Sequence, residues 1–145
     1  MELPEAPIPQ QGLLVTQLLI VRDQDKSREF YAGILGGKVL REKNPCFIKL
    51  ANTWIILNEG GGPTPDKPGV YLEPPRHPET VNCFLNLRVA DIQACYSDWK
   101  AKGANFLTEP LDNHGLELRC YLRDPDGYLV EVGQASGKFA EMFGG

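Results

Sequence analysis

Apolar and polar positions change their period several times along the chain, and each change marks an element. Residues 13–21 are a nearly unbroken apolar run (Leu13, Leu14, Val15, Leu18, Leu19, Ile20, Val21), which predicts a strand. Ser27, Phe30, Tyr31, Ile34 and Leu35 then recur at helical spacing. That helix opens at Asp23, whose carboxylate suits the free amides of a first turn, and closes at Gly36 and Gly37. Residues 38–42, 46–50 and 53–58 read as three short strands. The same order then returns. Residues 82–89 read as a strand and 91–102 as a helix, with Ile92, Cys95, Tyr96 and Trp99 in one stripe and Gly103 at its end. Residues 104–107, 116–123 and 128–133 read as strands, and Asp124-Pro125-Asp126-Gly127 predicts a tight turn between the last two.

The chain therefore reads βαβββ twice. Asp23 corresponds to Asp91, Ser27 to Cys95 and Tyr31 to Trp99 at one common offset, and an internal repeat outweighs any single motif. This predicts an α+β fold. Its parts are an arm over 1–12, a first module over 13–58, a Pro/Gly-rich linker over 59–80, a second module over 81–134 and a tail over 135–145. Phe30, Tyr31, Leu35, Ile92, Cys95, Tyr96 and Trp99 are the expected buried helix faces. The linker fits either a surface connection or a flap over a ligand or a partner subunit.

Composition narrows the function classes. Of 145 residues, 15 are Lys or Arg and 19 are Asp or Glu, giving a net charge of −4. A nucleic-acid binder usually carries a basic face, so no nucleic-acid partner is expected. No apolar run approaches the roughly 20 residues that span a bilayer, and no membrane partner is expected. The N-terminal residues have neither the basic stretch nor the apolar run of an export signal, so a cytoplasmic location is expected. The 4 cysteines form no Cys-x-x-Cys pair and read as buried free thiols. Gly60-Gly61-Gly62 precedes a proline rather than a helix, which excludes a phosphate loop, and no nucleophile elbow is present.

Two βαβββ modules with Val21, Arg22, Asp23, Phe30, Tyr31, Leu35 and Gly36 in the first, and Asp124-Pro125-Asp126-Gly127-Tyr128-Leu129-Val130-Glu131 in the second, resemble the vicinal oxygen chelate superfamily. That family includes glyoxalase I, extradiol dioxygenases, fosfomycin-resistance enzymes and bleomycin-resistance proteins. The resemblance covers about residues 13–134. It implies a curved mixed sheet around a cavity, with helices on the outer face, and it implies a homodimer. The fold alone does not select a chemistry, because the same scaffold hosts metal enzymes and metal-free binding proteins.

The resemblance also implies four equivalent metal-ligand positions, which fall on Thr16, Ile56, Phe84 and Glu131. Ile56 and Phe84 have no donor atom, and a divalent first-row metal usually takes at least three imidazole or carboxylate ligands. Gln17 is a ligand by type but lies one residue out of register, on the opposite strand face. His77 lies in the linker and His114 in a turn, neither with a neighbouring ligand partner. No metal and no cofactor are expected.

Strand parity gives the expected lining. Thr16, Trp54, Ile56, Phe84, Asn86, Arg88, Arg119, Tyr121 and Glu131 are the candidate ligand-binding residues. In residues 116–123, Glu117, Arg119, Tyr121 and Arg123 alternate with Leu118, Cys120 and Leu122, so the charged set looks away from the helices. Aromatic walls with a few convergent polar groups describe a small-molecule site. The reading favoured is a glyoxalase/bleomycin-resistance-like protein that binds a small aromatic or amphipathic molecule in a metal-free cavity. The alternative is an enzyme of the same superfamily: a metal-dependent lyase, isomerase or dioxygenase, or a metal-free proton transfer with Glu131 as general base. A buried unpaired carboxylate is costly, so Glu131 is expected to pair with Arg88, Arg119 or a polar ligand.

Overall fold

Each half of the chain folds as a strand, a helix and further strands in the computed structural model, which describes residues 3–143. The halves are compact units, Met1–Pro75 and Arg76–Gly145. In the first, β1 (Gln17–Ile20), α1 (Gln24–Arg28), β2 (Lys38–Arg41), β3 (Cys46–Leu50) and β4 (Thr53–Asn58) give the sheet order β1-β4-β3-β2. Strand β1 runs parallel to β4, and the remaining pairs are antiparallel. Asp23 opens α1 as expected, accepting bonds from the amides of Asp25 at 2.9 Å and Lys26 at 3.2 Å.

The expected single helix over 23–35 is α-helical only to Arg28; Glu29–Ile34 widens into a π-helical turn. The extra residue in that turn lets the adjacent Phe30 and Tyr31 both bury, with their rings edge to face at 4.8 Å. Gly36 ends the segment at φ 86°, a conformation that favours glycine.

Pairing in register sorts the first sheet into two faces. Cys46 opposite Leu57 and Ile48 opposite Ile55 form the fully buried face. Phe47 opposite Ile56 and Lys49 opposite Trp54 form the other. Each fully buried aliphatic side chain contributes about 1.5–3 kcal/mol, so this face is a main source of the unit's stability.

The second unit repeats the plan with β5 (Leu85–Arg88), α2 (Ile92–Ala101), β6 (Asn105–Phe106), β7 (Leu111–Asn113), β8 (Glu117–Arg123), β9 (Leu129–Ala135) and α3 (Gly137–Phe143). The sheet order is β5-β9-β8-β6, with β7 on β8 and β5 parallel to β9. The Asp91 carboxylate caps α2 through the amide of Ala94 at 3.0 Å. Ile92 and Trp99 of α2 are buried, as are Cys120, Leu122, Val130 and Val132 of β8 and β9. Cys95 and Tyr96, expected to be buried, are only half-buried; Tyr96 packs edge-on against Phe106 at 4.8 Å. The Asp124–Gly127 turn forms, with the Asp124 carboxylate accepting from the amides of Asp126 and Tyr128 and Gly127 at φ 91°.

The elements depart from expectation at both ends of the chain and by one added strand. Strand β1 begins at Gln17, because the apolar residues before it belong to the N-terminal arm. The tail carries the short helix α3, and β7 was unmarked by any alternation. The Pro/Gly-rich stretch is held within the units. Gly61 bridges Leu72, Arg22 donates to the carbonyl of Pro75 at 3.1 Å, and Arg123 donates to the carbonyl of Pro78. Among the described residues no helix is long and apolar enough to cross a membrane.

All four cysteines are free, but Cys83 is exposed, against expectation, because it precedes β5 rather than lying within it. Burial pushes the Cys120 thiol up to about 11 and raises those of Cys46 and Cys95. A thiolate reagent applied to the native chain at pH 8 is therefore expected to label Cys83 first and Cys120 only on unfolding. Labelling of Cys120 at the rate of Cys83, followed by peptide mapping, contradicts this packing.

Candidate functional site

The open face of the second sheet is built in rows. The register puts Asn86, Glu131 and Tyr121 side by side on β5, β9 and β8, and puts Arg88, Gly133 and Arg119 in the next row. In the first row the Asn86 amide and the Tyr121 hydroxyl both donate to Glu131, one to each carboxylate oxygen; the tyrosine bond is 2.7 Å. Glu131 is buried at 6% exposure, so these neutral donors do the compensating. Burial, and then the bond to Glu131, raises the Tyr121 phenol above its ordinary value.

The second row depends on a residue that the alternation did not single out. Gly133 has no side chain, and a Cβ there would run into the Arg88 guanidinium, whose Cζ would lie 2.7 Å away. Arg88 thus crosses the glycine to reach Glu117 at 3.1 Å, with the Phe139 ring 5.8 Å from its guanidinium carbon. Arg119 approaches the same carboxylate at 4.0 Å and lies 5.7 Å from the Tyr121 ring centroid. A glycine inside a strand marks close approach of another group, and that was its available signal. Phe84 stands 44% exposed beside this face, edge-on to Tyr121 at 6.3 Å.

The expected pairing of Glu131 with Arg88 or Arg119 is thus not formed. Both arginines face Glu117, which is buried and lies two positions before Arg119 on the same strand face. Among the described residues no buried side-chain nitrogen or oxygen lacks a hydrogen-bond partner.

In the first unit, Thr16 and Ile56 border one cavity of about 610 Å³, together with Leu40, Phe47 and arm residues including Ile8 and Leu14. Trp54 lies on the same sheet face but outside that lining. It is 1% exposed, and its indole nitrogen donates to the carbonyl of Glu5 at 3.3 Å. The arm's part in this cavity was not legible, since residues 1–12 carry no periodicity.

The four positions that the resemblance marks for metal ligands do not suit a divalent metal. Thr16 offers one hydroxyl, Ile56 and Phe84 offer nothing, and both oxygens of Glu131 already accept hydrogen bonds. Gln17 pairs in register with buried Ile55, on the face opposite Ile56, and its amide donates to the carbonyl of Leu18. His77 is 77% exposed with Glu79 at 3.9 Å, and His114 sits exposed in a turn at φ 54°. Among the described residues no three His, Cys, Asp or Glu side chains gather as a metal-holding group.

Removing the Tyr121 hydroxyl leaves one oxygen of a buried carboxylate without its donor, a loss of about 1–3 kcal/mol. Tyr121→Phe is expected to lower the melting temperature by several degrees in calorimetry. Because the folded-state pKa of Tyr121 is raised, its contribution is complete below the unfolded value near 10 and is lost as pH climbs through the raised one. The wild type should therefore lose more stability to alkali than Tyr121→Phe. Equal stability of the two proteins at neutral pH contradicts the arrangement.

The sequence matches the Glyoxalase/Bleomycin resistance protein/Dioxygenase superfamily over residues 13–132. A protein named probable lactoylglutathione lyase, from Synechocystis, is 28% identical over 131 residues, covering 86% of this chain and 97% of the relative. A glyoxalase/bleomycin resistance protein/dioxygenase from Alicyclobacillus acidocaldarius shares the fold with a TM-score of 0.67 at 16% identity, over 91% of this chain and 95% of that one. The fosfomycin resistance protein FosX of Listeria monocytogenes does so with a TM-score of 0.63 at 18% identity, over 90% and 98%. An antibiotic binding protein from a Streptomyces species gives 0.61 at 20% identity, over 88% and 100%. With the repeated βαβββ order and a matching region that spans most of its length, the chain belongs to the glyoxalase/bleomycin resistance protein/dioxygenase superfamily.

Proposed function

We propose that this chain binds a small aromatic or amphipathic molecule without a metal, on the sheet face that carries Phe84, Tyr121, Arg88 and Arg119. The observation that carries the reading is the closure of Glu131 by Asn86 and Tyr121. The carboxylate left at a family ligand position is stabilised by neutral donors and needs no cation. Two guanidinium groups meanwhile share the single carboxylate of Glu117, and Arg119 holds it more loosely than Arg88 does. A ligand with an aromatic ring and an anionic group suits this arrangement. Its ring lies against Phe84 and its acid on the Arg119 guanidinium, a charge-assisted contact stronger than a neutral one.

Titration of the purified chain with 1-naphthoate, followed by NMR, tests this. Saturable shifts are expected at the Phe84 and Tyr121 ring resonances. Arg119→Ala is expected to weaken binding about tenfold, the size of one lost charge-assisted contact. Gly133→Ala, which displaces Arg88, should weaken binding as well. Absence of saturable shifts, or binding unchanged in Arg119→Ala, contradicts the reading.

The 28% identity to a protein named as a lyase supports a second reading, an enzyme that moves a proton with Glu131. Turnover of lactoylglutathione by the wild type, abolished in Glu131→Gln, replaces the binding reading with this one.

A further inference from the structure

We propose that Phe139 of helix α3 is a positioning residue for the binding face: its ring holds the Arg88 guanidinium on Glu117 and so leaves Arg119 to the ligand. This role rests on the binding reading above, and it adds the element that sets which of the two arginines meets an anion. All the residues involved lie within the second unit.

Charge on this row does not cancel. Arg88 and Arg119, both part-exposed, face the buried carboxylate of Glu117. One carboxylate satisfies one guanidinium at full strength, so the other arginine keeps its charge for an incoming anion. Arg88 takes Glu117 at 3.1 Å, while Arg119 comes no nearer than 4.0 Å. Chain connectivity favours the opposite choice. Arg119 stands two residues from Glu117 on the same strand face, whereas Arg88 has to cross Gly133 from β5. A further contact must tip the choice toward Arg88, and Phe139 is placed to supply it.

Phe139 reaches Arg88 because of the path the chain takes after the sheet. Ala135, the last residue of β9, pairs in register with Glu117. The Ser136 amide then donates to the carbonyl of Leu116 at 2.9 Å, and α3 turns back with the amides of Phe139 and Ala140 on the Ser136 carbonyl. Its first residue, Gly137, lies at φ 49°, and a Cβ there would strike the Gly115 carbonyl oxygen, so the close entry depends on glycine. This path brings the Phe139 ring to 5.8 Å from the Arg88 guanidinium carbon, within reach of a cation–π contact. Arg119 has a different ring, that of Tyr121 at 5.7 Å, which itself packs against Phe84. One aromatic thus holds Arg88 at Glu117 while another keeps Arg119 on the binding face. A helix of 7 residues is too short to stand alone in water, so α3 depends on its docking, and that docking sets the affinity of the face for an anion.

The test titrates the full chain with 1-naphthoate and follows the guanidinium Nε–H resonances of Arg88 and Arg119 by NMR, in the wild type, Phe139→Leu and Phe139→Tyr. Leucine keeps an apolar side chain at this position and removes the ring; tyrosine keeps the ring. In the wild type the Arg119 resonance is expected to shift to saturation while that of Arg88 stays. Phe139→Leu is expected to weaken binding about two- to fivefold, the size of one cation–π contact at a partly exposed site, and to let both resonances respond. Phe139→Tyr is expected to keep the wild-type affinity, which a role confined to packing α3 would not distinguish from leucine. Affinity unchanged in Phe139→Leu, equal weakening by leucine and tyrosine, or an Arg88 response as large as that of Arg119 in the wild type overturns this role and leaves the binding reading standing. Absence of any saturable shift removes the binding reading and this role with it.

Discussion

A carboxylate removed from water must be met by donors or by a cation, and the second unit is arranged around meeting one. Glu131 lies in the middle of the β5-β9-β8 sheet, buried, with Asn86 on one neighbouring strand and Tyr121 on the other. Its two hydrogen bonds fix the outer strands against the central one on this face, and they fix the tilt of the Tyr121 ring against Phe84. Glu131 is thereby satisfied, and the arginines of the next row turn to Glu117. Gly133 permits that row to exist, since any side chain there would occupy the space Arg88 crosses. Donor geometry, ion pairing and ring packing on this face follow from how one buried charge is compensated.

The two units share a strand order and differ in what they put on the same face. In the first, the alternation gives Phe47, Trp54 and Ile56, and the arm covers them. In the second, it gives Asn86, Arg88, Arg119, Tyr121 and Glu131, left accessible enough that Phe84 remains nearly half exposed. One topology thus carries an apolar pocket in one half and a polar, aromatic face in the other. Function in such a fold has to be read from the side chains of each face.

Much of the architecture was legible because its signals are local. Asp23 and Asp91 cap their helices through amides two or three residues away, and the Asp124–Gly127 turn is closed by its own first carboxylate. Strands β3 and β4 end where the alternation said they would. Parity also placed Glu117, Arg119 and Tyr121 on one face, but it did not decide which donor meets which acceptor. That depends on the row a residue occupies across three strands. Glu131 shares its row with Asn86 and Tyr121, whereas Arg88 and Arg119 flank a glycine one row on. The arm escaped because its fastening uses the backbone carbonyls of Pro4 and Glu5 and one exposed ion pair from Glu5 to Lys38, none of which leaves a periodic trace. The π-helical turn escaped because Phe30, Tyr31, Ile34 and Leu35 fit a 3.6-residue period as readily as a wider one.

The central claim is that neutral neighbours, not a cation, hold Glu131. Metal retention tests it most directly. The purified chain is incubated with one equivalent each of zinc, nickel, manganese and ferrous iron in turn, passed through gel filtration and assayed for bound metal. The account predicts no stoichiometric metal with any of the four. One equivalent retained by the wild type and lost in Glu131→Gln would contradict it.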